Sequence, residues 1–386
     1  MDKPRVERIS GVHDIPATAW NALGQADNLY LSHSWLRWAD GDPAFHASHL
    51  LAWNDHGQLV GALPCYLWWR GREDSVNGWY DPVRVFIRPT ASQPIDVDRW
   101  FPLLLLGSRS GYHGDVLVAT GLPPSQQALV HAALLDAAAD QATEVGARSR
   151  ALMYVPETSV DQVQRLLCPV ARAVPTSAEA VIGSGWDSFA DYLRQFAKKR
   201  RTNIQREITT FETAGVTVQE TTLGDSYQRI GPLLGRLQRK YGFTDTDEAM
   251  TDRMAAQAAA LDDISRVFLE LRDGQVVGFS LGYEWRGQFY VRSTGFDADG
   301  GSAPFAYFNL AVYRPLRHAI EHGLRCVNMG VSGYQAKVAR GAVLAPLWSM
   351  VWPPADADPG SLAALAEPAA EAAEAESLVA GTFRVG

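Results

Sequence analysis

Apolar residues alternate around an Asp/Asn and Gly turn in two nearly identical stretches, LLAWNDHGQLVGALPCYLW from Leu50 and FLELRDGQVVGFSLGYEW from Phe268. Period-two alternation of β-branched and aromatic residues about such a turn predicts a hairpin in each. The turn glycines Gly57 and Gly274 stand 217 positions apart (274 − 57). Tyr66 and Tyr283 fall at one offset from them, and Trp68 and Trp285 at another, so the two outgoing strands present the same face. A second echo follows in the same order. EVGAR (Glu144–Arg148) closes an Ala-rich helical run and EHGLR (Glu321–Arg325) closes another, with ALMYVP and CVNMGV after them as strands. Glycine suits the left-handed position just past a helix end. The repeated unit is therefore hairpin, crossover helix, strand, and it predicts two tandem α/β domains, each a mixed, mainly antiparallel sheet flanked by helices.

The expected division is 1–178 for the first domain and 179–352 for the second, with a boundary near Pro175 to Gly185. Residues 353–386, rich in Ala, Glu and Pro, read as a tail or short acidic helix that packs back on the first domain, without chemistry of its own. A length of 386 residues with 47% hydrophobic content agrees with two cores of ~150 residues each.

Ahead of the second hairpin lies WDSFADYLRQFAKKRRTNIQREITTFETAGVTV. Asp187 or Ser188 can cap a helix whose apolar stripe runs Phe189, Leu193, Phe196, Ile204, Ile208, Phe211, ending at Gly215 before the strand VTVQE. Arg194, Lys198, Lys199, Arg200, Arg201 and Arg206 crowd this segment, in a chain whose net charge is −8. That overall charge argues against general adhesion to nucleic acid or anionic lipid, so any polyanion must meet a local patch. The block is either a solvated face or a phosphate clamp. Arg200 favours the clamp, because it sits in the apolar stripe, where a cation needs an acid or a ligand phosphate.

Cys65, Cys168 and Cys326 are far apart and indicate neither a disulfide framework nor a zinc site. No apolar run is long enough to span a bilayer, the N-terminus lacks a signal peptide's apolar stretch, and the expected location is the cytoplasm. GFSLG (Gly278–Gly282) matches a nucleophile elbow but lies inside a hairpin strand, and HAIEH (His318–His322) matches an inverted zinc-protease pattern at an ordinary helix end. GSRSGYHG (Gly107–Gly114) follows the strand LLLL and is not followed by a helix, so it reads as a substrate-lining loop and not as a dinucleotide fingerprint. No metal and no cofactor is called for.

The repeat, the entry segment NLYLSHSWLRWAD, the basic AKKRRTNIQRE before AGVTV, and the closing block YFNLAVYRPLRHAIEHGLRCVNMGVSGYQAKVARG together resemble the Fem-like branch of the GNAT acyltransferase superfamily, the peptidoglycan biosynthesis and recognition proteins. The spacing Gly330, Gly333, Lys337-x-x-Arg340-Gly341 is the most specific part of the likeness. The resemblance implies direct transfer of an aminoacyl group from tRNA to an amine of a small-molecule or cell-wall-precursor acceptor. An acyl-CoA donor is the alternative, and a non-catalytic binding protein a further one. Where relatives show His-Phe-Glu the chain has Tyr307, Phe308 and Asn309, departing at the first and third positions, and it has Asn328 where they favour an acid, so no carboxylate base carries over.

Under that likeness Lys337 and Tyr334 are the candidate catalytic residues, able to protonate a ribose alkoxide that is a much poorer leaving group than a thiolate. Lys198, Lys199, Arg200, Arg201, Arg292 and Arg340 are candidates for donor phosphates. Arg340 is either an anion ligand or a structural ion pair, and Arg292, on an apolar strand, faces either a cleft or a buried acid. Trp79, Tyr80, Asp81, Tyr112 and His113 are candidates for the acceptor surface. The start of the second crossover helix, TGFDADGGSAPF, lacks the cation that leads the acyl-CoA pyrophosphate motif and carries Asp297 and Asp299, which counts against CoA. Pro315 should disturb that helix, and the transfer site is expected in the cleft between the domains.

Overall fold

The computed structural model describes the chain except residues 1–2, 71–74, 87–95, 161–162, 164–170, 298–300, 366–367 and 383–386. Cys168 and Asp299 lie outside the described residues. The first half contributes β1 (Arg5–Ile9), β2 (Phe45–Ala47), β3 (His49–Trp53), β4 (Leu59–Leu63), β5 (Cys65–Trp68), β6 (Leu103–Leu106), β7 (Leu117–Val118), β8 (Ser149–Pro156) and β9 (Arg172–Gly183). The second contributes β10 (Thr217–Thr221), β11 (Ser265–Arg272), β12 (Gln275–Trp285), β13 (Gln288–Phe296), β14 (Cys326–Asn328) and β15 (Val343–Trp352).

Both halves carry the predicted unit. In the second, Asp273 and Gly274 both have positive φ (50° and 77°), as a two-residue hairpin turn that matches strand twist requires. The helix Pro124–Glu144 carries the chain from β6 to its parallel neighbour β8, and residues Ala306–Glu321 carry it from β13 to its parallel neighbour β14. Gly146 and Gly323 close the two crossovers with positive φ. The copies differ at one informative place. Pro64 divides the first copy's outgoing strand, sending β4 into a four-stranded sheet (β1-β3-β4-β7) and β5 into the large sheet. Its counterpart Leu281 (64 + 217) keeps its donor, and β12 stays continuous, with a bulge in its partner β13 opposite Leu281/Gly282.

The large sheet runs through both halves in the order β10-β11-β12-β13-β14-β9-β15-β8-β6-β5-β2. The last strand of each half crosses over: β9 pairs with β14, β15 pairs with β8, and β9 pairs with β15 at the centre. The expected division at 178/179 thus falls inside β9, a strand bonded to the second half along one edge and to β15 along the other. The helix Ala370–Thr382 packs on β9 and β15, while Asp356 pairs with Arg148 and Ser361 accepts from the Trp100 indole in the first half.

The basic segment departs from the single helix expected. Phe189–Arg194, capped by Ser188, is followed by a separate helix Lys198–Glu212. The break at Gln195–Ala197 lets Phe196 fold back on Tyr192, with ring centroids 5.2 Å apart. Ile204, Glu207, Ile208 and Phe211 form the buried face of the second helix. Before Pro315, Asn309–Tyr313 forms a π-helical turn, the local widening expected where proline removes a donor. Among the described residues no helix is long and apolar enough to cross a membrane.

Candidate functional site in the groove between the two halves

β13 pairs with β14 only over Gln288–Tyr290 against Cys326–Asn328. Beyond Tyr290 the two strands separate, and the gap opens on a groove of about 440 Å³. Val291 to Thr294 line one wall, Met329 to Gly333 and Lys337 another, and Trp79, Tyr80 and Tyr112 of the first half close it. Two helices complete it, Tyr227–Lys240 through Gln238 and Asp247–Leu261 through Arg253. Among the described residues three cations line this groove, Arg253, Arg292 and Lys337, and no aspartate or glutamate does.

Lys337 is buried in the short helix Tyr334–Val338, with its ammonium donating to the carbonyls of Met329 and Val331 at 2.8 Å and of Gly330 at 3.4 Å. Burial lowers its pKa to about 8, against a smaller upward pull from Glu371 and Glu374. Arg292 owes its aim to backbone irregularity. Leu281 pairs with Ser293 and Gly282 with Val291, so Arg292 is the extra residue of a bulge, and a bulge re-aims its side chain. Its guanidinium donates to the Tyr80 hydroxyl and to the Ser110 carbonyl (2.9 Å), lies over Trp35 and Tyr80, and leaves Nε without a partner among the described residues. Of the cleft and the buried acid considered for Arg292, the structure puts it at the cleft.

Arg253 donates toward Asn77 and Ser110 (3.3 Å each) and stands 3.8 Å from Asp42, which pairs more closely with the buried Arg109 at 3.0 Å. Three guanidiniums thus surround Ser110 with the single carboxylate of Asp42. Desolvation, followed by repulsion from Arg109, brings the Arg253 pKa down to about 10. Trp79 donates to Gln238 at 2.8 Å, and Tyr80 and Tyr112 face each other at 5.5 Å.

Other candidate residues lie elsewhere. The Tyr334 hydroxyl accepts from the Ala178 amide at 3.0 Å, is fully buried with a pKa pushed up to about 12, and does not line the groove. Arg340 is the structural ion pair: it meets Glu207 at 2.8 Å and donates to the Tyr313 hydroxyl and the Ala336 carbonyl. Arg200 donates to the Ala339 carbonyl, which satisfies in the fold the cation that its place in the stripe had assigned to a phosphate. Lys198 and Lys199 are exposed and Arg201 is partly exposed, and none of the three lines the groove. Asp81 caps the helix Pro82–Phe86 by accepting from Val83. His113 is set back from the groove, its pKa lowered to about 4 by burial.

Ser280 lies mid-strand opposite Phe268 and Thr294, and His318 bonds Glu284 at 3.0 Å in the last turn of its helix.

A family profile described as FemAB-like, peptidoglycan biosynthesis/recognition, matches residues 11–366. The chain belongs to the FemAB-like family. No curated protein sequence matches it. Among solved structures, this FemAB-like protein superposes on FemX (TM-score 0.58, 12% identity, covering 90% of this chain and 97% of that one). It is similar also to a conserved protein of unknown function from Bacteroides thetaiotaomicron (TM-score 0.54, 15% identity, 90% and 99% covered). A tandem GNAT protein from the clavulanic acid biosynthesis pathway matches at TM-score 0.50 and 13% identity, with 91% and 100% covered. At such identities the likeness establishes the fold, two tandem GNAT-like domains. Family and fold together support an acyltransferase-type role.

Sequence reasoning missed Arg253 and Gln238. Arg253 follows Met250 and precedes Met254 and Gln257 on one buried helix face, so it carried the signal that singled out Arg200, a cation within an apolar stripe.

Proposed function

We propose that the groove joins an activated acyl group, carried as an aminoacyl ester on tRNA, to the amine of a small-molecule or cell-wall-precursor acceptor. The observation that carries this reading is the groove wall at the β13/β14 separation, with three largely buried cations and, among the described residues, no acid. Unpaired buried charge is costly, and a wall built this way favours an anionic ligand and a developing oxyanion. Lys337, with a pKa near 8, holds a proton at neutral pH and can give it to a ribose oxygen as the ester breaks. Arg292 and Arg253 hold the anionic part of the substrate, while Trp79, Tyr80 and Tyr112 offer aromatic faces to the acceptor.

The tRNA donor is supported by family membership and by the basic helix. Arg200 ties the start of that helix to the end of the Lys337 helix, and Lys198, Lys199 and Arg201 of the same turn are exposed or partly exposed to a large anion. An acyl-CoA donor remains the second reading because the parting strands can receive an extended acyl carrier. It is disfavoured at the crossover start, where Asp297 stands in place of a leading cation and already engages Arg236 at 3.8 Å.

Transfer to an amine acceptor is measured with charged tRNA, with and without ribonuclease, beside acyl-CoA. Transfer abolished by ribonuclease is expected. Ribonuclease-insensitive transfer from acyl-CoA would move the assignment to the second reading, and no transfer from either donor would leave a binding protein.

A further inference from the structure

Amide formation asks for something the groove wall lacks. An amine acceptor arrives at neutral pH as an ammonium ion and must lose a proton before its nitrogen can attack. Cations line the groove, and among its described lining residues there is no carboxylate to receive the acceptor's proton.

A smaller cavity of about 150 Å³ adjoins the groove and shares Trp79, Tyr112, Val331 and Ser332 with it. Among the described residues one carboxylate lines this cavity, that of Glu371 on the tail helix Ala370–Thr382, and the other charged or titratable side chains on its walls are Arg84, Tyr112 and Tyr154. The helix is fixed in place. The Ala369 amide donates to the Pro175 carbonyl at 2.9 Å, Ala372 and Ala375 are buried, and the helix packs against β9, β15 and the Lys337 helix. Glu371 is half-buried, and Glu374, one turn on, is exposed.

We propose that Glu371 is a further catalytic residue, supplied by the C-terminal tail, which binds the acceptor's ammonium in the cavity beside the groove and takes its first proton. This assignment rests on the transfer reading above. The steps balance. Glu371 takes one proton from the ammonium, and the free amine forms the C–N bond at the ester carbonyl. As the C–O bond to the ribose breaks, Lys337 gives its proton to the ribose oxygen and regains one from the amide nitrogen, while Glu371 releases its proton to solvent. The electrostatic support that Glu371 gives to the charged form of Lys337 fits a carboxylate and an ammonium placed on neighbouring walls of one site.

The test compares wild type with Glu371→Gln, Glu371→Asp and, as a control on the same helix, Glu376→Gln. Ethylamine, a strongly basic acceptor, and hydroxylamine, a weakly basic one, are used with whichever donor supports transfer. For Glu371→Gln, kcat/KM with ethylamine should fall about 100-fold at pH 7 and then climb about tenfold per pH unit up to about pH 8, where loss of the Lys337 proton begins to offset the gain in free amine. The loss with hydroxylamine should be small, Glu371→Asp should recover part of the rate, and Glu376→Gln should match wild type. Equal pH profiles for Glu371→Gln and wild type would overturn the proposal. So would equal losses on both amines together with a lower melting temperature, which would make Glu371 structural. If wild type transfers from no donor, the transfer reading fails, and the ammonium site is judged by saturation-transfer NMR with ethylammonium. A difference signal present in wild type and abolished by Glu371→Gln supports the site, while no signal in wild type, or one that the substitution leaves unchanged, overturns it.

Discussion

Replacing Lys337 by methionine separates what this residue costs the fold from what it gives the chemistry. The Lys337 pKa falls from 10.5 to about 8 on burial, so the folded protein binds this proton less tightly than the unfolded chain. Between the two values the unfolded state carries more protons, and stability against unfolding therefore rises with pH there. From pH 7 to pH 10 the shift is worth about 2–3 kcal/mol, at about 1.4 kcal/mol per unit where the difference is fully expressed. Methionine removes the titration and leaves the carbonyls of Met329, Gly330 and Val331 without their donor, an effect that does not vary with pH. Denaturant unfolding of wild type and Lys337→Met at pH 7 and pH 10 isolates the proton from everything else that titrates. The wild type should gain about 2–3 kcal/mol on Lys337→Met over that interval. In the transfer assay the variant should lose activity, and the wild-type rate should fall above about pH 8 as the donor proton is lost. A stability difference independent of pH, or a Lys337→Met variant that transfers normally, would refute the reasoning.

Arg340→Met strands the buried Glu207 and should cost about 3–5 kcal/mol in denaturant unfolding, while Arg340→Met with Glu207→Leu should cost less than the sum of the single changes; additive costs would dissolve the pair. Asp42→Asn removes the carboxylate shared by Arg109 and Arg253 and should destabilise by about 3 kcal/mol, with partial recovery in high salt, and a variant as stable as wild type would show that the guanidiniums need no counter-charge there. Asp42 has a lowered pKa because the pull of Arg109 and its other partners outweighs its desolvation, so its stabilising effect holds above the ordinary carboxylate range and disappears as pH falls through the folded value. Lys199→Glu with Arg201→Glu should weaken tRNA binding and reduce the slope of log affinity against log salt by about two; an unchanged slope would give these cations to solvent.

Much of the fold was legible along the chain because its signals are local. Alternation around Gly57 and Gly274 marks the hairpins, and the glycines Gly146 and Gly323 mark where the crossover helices stop. The strand context of Ser280 and the helix-end context of His318 were likewise local facts, and they disposed of two misleading motifs without any appeal to tertiary structure. The site was legible in part. The Gly330, Gly333, Lys337 spacing led to a groove residue, whereas Arg340, in the same string, turned inward to Glu207, because side-chain direction on a five-residue helix depends on what packs against it.

Determined by the sequence alone were the repeated unit, the order of its elements and the presence of cations that a chain of net charge −8 had to place somewhere. Tertiary structure decided which of them meet. The exchange of β9 and β15 between halves, the bulge that turns Arg292 toward Ser110, and the seating of Glu371 beside Trp79 join residues far apart in the chain. Periodicity encodes which face of an element is buried, but the partner across that face is chosen by the packing of whole elements, and the charge of the groove follows from that choice.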